Sequence, residues 1–306
     1  MFSKLHKAAQ QVNGIIIGKE LQIRQALSCL LAGGHLLIED LPGVGKTTLA
    51  HALAISLGLR FNRLQFTSDL LPADVVGISI FDREKNQFIF HPGPVFSQVL
   101  LADEINRATP KTQSSLLEAM EERQVSVEGQ TRSLPKPFFV IATQNPAHQV
   151  GTFALPESQL DRFLMCLSLG YPDASAERAL LMGEDRRSLL AHLPAVMKAE
   201  ELMVAQQALK QIHASSSLID YVQALAQATR QGDLFAEGMS PRASIALLQA
   251  ARAWAALEGR DHVLPEDVQA VLIPVVSHRL RPLKSLGGKA GASAELLTQL
   301  MKQVRV

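Results

Sequence analysis

Five short strand-like segments rich in apolar residues punctuate the first 170 positions: 35–38, 61–66, 95–104, 138–146 and 163–169. Each ends on polar or turn-forming residues, and stretches of helical periodicity separate them. Residues 19–32 place Ile23, Ala26, Leu27, Leu30 and Leu31 at 3.6-residue spacing before Gly33-Gly34, which predicts an amphipathic helix. A second helix buries Leu49, Ala50, Leu53, Ala54 and Leu57 before Gly58. A third starts at Thr109-Pro110, a good N-cap followed by proline at the first helical position, and runs to about Arg123. Two further segments, 78–90 around DREKN and 124–134 around Glu128-Gly129, alternate as hairpins do. Buried strands alternating with helices predict an α/β fold with a parallel five-stranded sheet, whose ligand groups collect at the carboxyl ends of the strands.

After Tyr171-Pro172-Asp173 the pattern becomes wholly helical, with periodic sets such as Leu202, Ala205, Leu209, Ile212 and Ile245, Leu248, Ala251, Ala255. The expected division is an α/β domain over 1–172 and a small all-helical domain over 173–306, with 286–293 a flexible link to the last helix.

The stretch HLLIEDLPGVGKTT (35–48) carries the first chemistry: strand, loop, helix. Gly43 and Gly45 allow a tight turn that presents successive backbone N–H groups to an anion. Lys46 supplies a charge for β- and γ-phosphates, Thr47 a hydroxyl for Mg2+, and the helix N-terminus faces the same phosphates. Pro42, Gly43, Val44, Gly45, Lys46, Thr47 and Thr48 are therefore candidate ATP-binding residues. The spacing is that of GxxxxGK[ST], except that Asp40 stands at the first position in place of Gly. Downstream, Asp103-Glu104 follows an apolar strand. The first acid is a candidate Mg2+ ligand beside Thr47, and the second a candidate base for the attacking water.

Four ordered segments, LADEINRATPKTQSSLLEAMEE (101–122), ATQNP (142–146), LPESQLDRF (155–163) and SPRA (240–243), together with the phosphate loop, resemble the AAA+ ATPases of the MoxR family. The resemblance covers nearly the whole chain. It implies that Asn145 is sensor 1, which positions the attacking water, and that Arg162 is an arginine finger acting in a neighbouring subunit's site. It implies that Arg242 is sensor 2, touching the γ-phosphate so that hydrolysis moves the helical lid, and that Ile16, Ile17 and Gly18 line the adenine pocket. It also implies a ring, expected to be hexameric, with the two hairpins facing the pore. The work expected of it is remodelling of partner proteins that carry von Willebrand factor A domains, with metal-cofactor insertion among the family's roles.

Charge narrows the alternatives. With 30 Lys+Arg against 29 Asp+Glu among 306 residues, the formal net charge is +1, which argues against a dedicated nucleic-acid motor. HRLRPLKSLGGK (278–289) forms a basic cluster, read as a solvated face or subunit contact. Cys29 and Cys166 sit in apolar settings and read as reduced core thiols. The first residues lack a continuous apolar stretch and no apolar run approaches 18 residues, so no membrane span and a cytoplasmic location are expected.

Overall fold

The computed structural model describes residues 2–145, 151–183, 186–231, 234–283 and 292–304. Pro146 of the ATQNP segment, most of the expected link and the end of the basic cluster lie outside these residues.

Among the described residues nine strands form: β1 (His35–Glu39), β2 (Phe61–Gln65), β3 (Gly77–Asp82), β4 (Gln87–Pro92), β5 (Val99–Asp103), β6 (Gln124–Val127), β7 (Gln130–Ser133), β8 (Phe139–Gln144) and β9 (Phe163–Leu167). Five of them make one sheet in the order β2-β5-β8-β1-β9, every pair parallel. The apolar runs of β1, β5, β8 and β9 are nearly unbroken because both faces of the sheet are covered there. Side chains alternate across the pleat: Ile38, Leu101 and Ile141 enter one buried cluster, while Leu37, Leu100 and Val140 enter the other. β2 lies at the edge and is mostly exposed.

Both expected hairpins are present, as antiparallel pairs β3–β4 and β6–β7. The second turns on Glu128 (φ 53°) and Gly129 (φ 76°), the left-handed pair that a tight two-residue hairpin turn requires. One strand is shorter than expected. Residues 95–98 are a turn, with Ser97 Oγ donating to Pro94 O and Phe96 N to Gly93 O, so β5 begins only at Val99.

The helix Phe2–Ile15 was not anticipated from the pattern, although Leu5, Ala8, Ala9, Val12 and Ile15 make a buried face at helical spacing. It packs on the helices Glu20–Leu31 and Lys46–Ser56. From Ala174 onward the chain is helical, with Ser216–Gln231 and Pro241–Leu257 the longest described helices there. Bridges at His213–His262 and Phe235–Pro282 are the exceptions there among the described residues. Ile245, counted with the core by periodicity, is exposed, whereas Ala250, Ala251 and Trp254 of the same helix are buried. These helices join the N-terminal ones and one sheet face in a single apolar cluster.

Candidate nucleotide site

The loop between β1 and the helix Lys46–Ser56 takes its shape from two glycines and one aspartate. Gly43 (φ 88°) and Gly45 (φ 93°) are left-handed, a conformation that residues with a Cβ rarely adopt. Space is not the constraint, since a Cβ at Gly43 would meet nothing within 4 Å. Asp40, where the motif has Gly, is not left-handed and needs no such freedom. Its carboxylate accepts from Leu169 N and Gly170 N, each at 2.6 Å, from Ser168 Oγ at 3.1 Å and from Leu41 N at 2.8 Å. The aspartate therefore pins the start of the loop to the segment leaving β9.

Lys46 is buried beneath this loop. Its ammonium donates to Asp40 O (2.5 Å), Leu41 O (3.2 Å) and Asn145 Oδ1 (3.0 Å). Burial lowers its pKa, while the charges of Asp40, Asp103 and Glu104 oppose the shift. All three acceptors are neutral, so a polyphosphate would compete for the ammonium through stronger, charge-assisted bonds.

Asn145, at the tip of β8, bridges the two ends of the cleft: its Nδ2 donates to Glu104 Oε1 at 3.2 Å. Glu104 sits in a left-handed conformation (φ 55°), which turns it out of the strand line after β5. Gln65 Nε2 (3.1 Å) and Arg107 (3.0 Å) donate to its other oxygen. Asp103 Oδ1 accepts from Thr143 Oγ1 at 2.6 Å, and Thr143 Oγ1 in turn accepts from Glu104 N at 2.8 Å. Thr143 is thus a positioning residue, marked in the sequence by nothing more than a lone hydroxyl inside the apolar run of β8.

Thr47 Oγ1 lies 3.5 Å from Asp103 Oδ2. A hydroxyl and a carboxylate oxygen converging beside a phosphate loop are the hard oxygen donors that Mg2+ takes, so the residues fit the ion. Together Pro42, Gly43, Gly45, Lys46, Thr47, Thr48, Asp103, Glu104 and Asn145 line a cleft of about 290 Å³. A more apolar pocket of about 180 Å³ shares Gly43, Gly45 and Thr48 with it and is walled by Ile16, Ile17, Val44 and Pro172. That pairing suits phosphates and a flat base. Gly18 does not line the pocket; it turns the chain at φ 71°, and a Cβ there would lie 2.9 Å from that of Ala176.

The two candidate arginines lie elsewhere. Arg162 immediately precedes β9 and pairs with Glu121 at 3.0 Å. Arg242, in the first turn of Pro241–Leu257, pairs with Glu121 at 3.1 Å and Asp161 at 3.3 Å. Both line a separate pocket of about 370 Å³ with Gly34, His35 and Arg279. In a parallel sheet, His35 at the start of β1 and Arg162 before β9 mark the amino edge, whereas the phosphate loop follows the carboxyl edge. Five residues of strand separate the two by roughly 16 Å. The expectation that Arg242 touches the γ-phosphate is therefore not met within one chain, because the lid helix starts at the wrong edge of the sheet.

Residues 35–165 match the family described as ATPases associated with various cellular activities, and residues 227–298 match the AAA lid domain. Fold and cleft are accordingly those of an AAA+ ATPase, an enzyme that hydrolyses ATP. The chain is 40% identical over 287 residues to Chaperone MoxR1 of Mycobacterium tuberculosis, covering 90% of this chain and 75% of that protein. It is 35% identical over 302 residues to Protein MoxR of Paracoccus denitrificans, covering 91% and 88%. YeaC of Bacillus subtilis, itself uncharacterised, is 44% identical over 303 residues, covering 99% and 94%. A crystal structure of a Cytophaga hutchinsonii protein assigned as an ATPase superposes with a TM-score of 0.88 at 33% identity, covering 99% of this chain and 95% of the other. The chain belongs to the MoxR family of AAA+ ATPases. Among the described residues, no helix is long and apolar enough to cross a membrane.

Proposed function

We propose that the protein is a chaperone-like, ring-forming ATPase that uses Mg2+ and ATP to remodel a partner protein in the cytoplasm. Residues 1–172 form its nucleotide-binding domain and 173–306 its lid. One observation carries the reading: the phosphate loop and both acids converge on one cleft, while Arg162 and Arg242 gather at the opposite sheet edge. A ring, hexameric by family resemblance, brings the arginine edge of one subunit to the cleft of the next.

In the mechanism, Lys46 and the loop amides hold the phosphates, and Ile16 and Ile17 cover the base. Thr47 and Asp103 hold Mg2+, which neutralises charge on the phosphate oxygens when bound. Asn145 positions Glu104, which takes a proton as the water oxygen bonds to the γ-phosphorus and the bond to the β-phosphate oxygen breaks. Arg162 from the neighbour stabilises charge on the transferred phosphoryl, and Arg242 enters from the same face.

The β3–β4 hairpin supports a protein partner, because it exposes Ile78, Ile80, Phe81 and Phe88. A von Willebrand factor A domain is the partner class that the family resemblance favours, with metal-cofactor insertion among the tasks such a pair performs. Glu104→Gln, which should bind ATP without hydrolysing it, provides the test when recovered from cytosol with and without nuclease. A nuclease-resistant protein, lost on Lys46→Ala, is expected. Nucleic acid, or a partner that disappears with nuclease, would contradict the proposal and favour a motor acting on DNA or RNA.

A further inference from the structure

Asp103 presents one oxygen to the cleft, and an arginine already grips it. Oδ1 is turned to Thr143. Oδ2, the oxygen beside Thr47, accepts from Arg63 Nε at 3.0 Å and from a terminal nitrogen of the same guanidinium at 2.8 Å. Arg63 also donates to Gln65 Oε1 at 3.0 Å. It stands on β2, the sheet-edge strand, and is half exposed, whereas the Asp103 side chain is 10% exposed. The aspartate is therefore fixed and the arginine has solvent into which it can swing.

A divalent cation held by Thr47 and Asp103 needs the same oxygen. Mg2+ sits about 2.1 Å from its ligands, so a guanidinium nitrogen at 2.8 Å from that oxygen would leave three positive charges within about 5 Å, with the carboxylate shared between them. The two cations oppose each other there. We propose that Arg63 and the divalent cation compete for Oδ2 of Asp103, so that Arg63 sets how tightly the cleft takes its metal and leaves the carboxylate when the metal binds. This rests on the reading of the cleft as a metal–nucleotide site.

Mn2+ is a suitable probe, with free ion counted by electron paramagnetic resonance in the presence of ADP. Arg63→Gln should bind Mn2+ roughly fivefold tighter than the wild type, the fold-change that matches the upper range for a half-exposed ion pair. Arg63→Lys, which keeps the charge but loses the two-nitrogen grip, should fall between them. ADP affinity without Mn2+ reports that each variant is folded. Unchanged or weaker Mn2+ binding by Arg63→Gln would overturn the proposal. If Asp103→Asn left Mn2+ affinity intact in both backgrounds, the metal site itself would be wrong, and the competition with it.

Discussion

The two edges of the central sheet differ in how complete they are. At the carboxyl edge one chain supplies the phosphate loop, both acids and Asn145, and the groups brace one another: Lys46 to Asn145, Asn145 to Glu104, Thr143 to Asp103. At the amino edge three arginines converge, and carboxylates of the same chain hold them: Glu121 takes Arg162 and Arg242, and Asp161 takes Arg242 and Arg279. Arg279 is bound in place by backbone carbonyls of Asp161, Phe163 and Leu164 as well, while Arg242 is largely exposed. One edge is a phosphate-binding cleft, and the other holds Arg162 and Arg242 on partly exposed carboxylates. On the proposed reading, that difference locates catalysis at an interface between copies of the chain.

The largest effect expected concerns the amino-edge arginines. Arg162→Ala should bind nucleotide normally and lose about 10³- to 10⁵-fold in turnover, measured as phosphate release; a variant that kept more than about a tenth of the rate would show that Arg162 is not the finger. At the carboxyl edge, Asp40→Gly restores the usual motif residue but removes four accepted hydrogen bonds. It should destabilise the protein by about 2–4 kcal/mol in urea unfolding, and an equally stable variant would remove Asp40 from the architecture.

A smaller effect belongs to His35, at the floor of the arginine pocket. Its ring is buried, accepts from Val140 N–H through Nδ1 and contacts Met120 O through Nε2. Burial lowers its pKa from 6.5 to about 4. The unfolded chain thus takes up a proton that the folded one refuses, so this stability is complete above pH 6.5 and is lost as pH falls towards 4. Unfolding at pH 5 should be easier than at pH 7 by about 2 kcal/mol from this group, and His35→Gln should flatten that slope. Smallest is Glu121→Gln. Its pairs are partly exposed, so stability should change by less than about 1 kcal/mol, and a larger loss would mean that the amino edge is a structural clasp.

Much of this was legible in the sequence wherever one local pattern dictated one structure. The strands at the sheet centre were legible because burial on both faces forces an unbroken apolar run. The Thr109-Pro110 start is honoured in the helix Pro110–Glu122. Asp103 and Glu104 were legible because a strand that ends on acids must display them at the carboxyl edge. What escaped depends on partners distant in the chain. The first helix mixes Lys4, Lys7 and Gln10 with its buried face, so its apolar content is low although its periodicity is sound. The role of Asp40 depends on amides 129 and 130 positions away. Arg63 gives no local sign of reaching Asp103, and Arg242 sits beside Arg162 only because the lid helix packs at the amino edge. Pro241–Leu257 is apolar around most of its circumference, so its periodicity does not single out the buried side, and Ile245 faces out.

The central claim, that one chain's cleft is completed by another chain's arginine, is tested most directly by mixing two inactive proteins. Arg162→Ala subunits retain Glu104 and Glu104→Gln subunits retain Arg162, so a mixed assembly forms some interfaces with both. With equal amounts and random assembly, roughly a quarter of interfaces are complete, and phosphate release should recover to about that share of the wild-type rate. A mixture that co-assembles yet stays as inactive as its components would contradict the account.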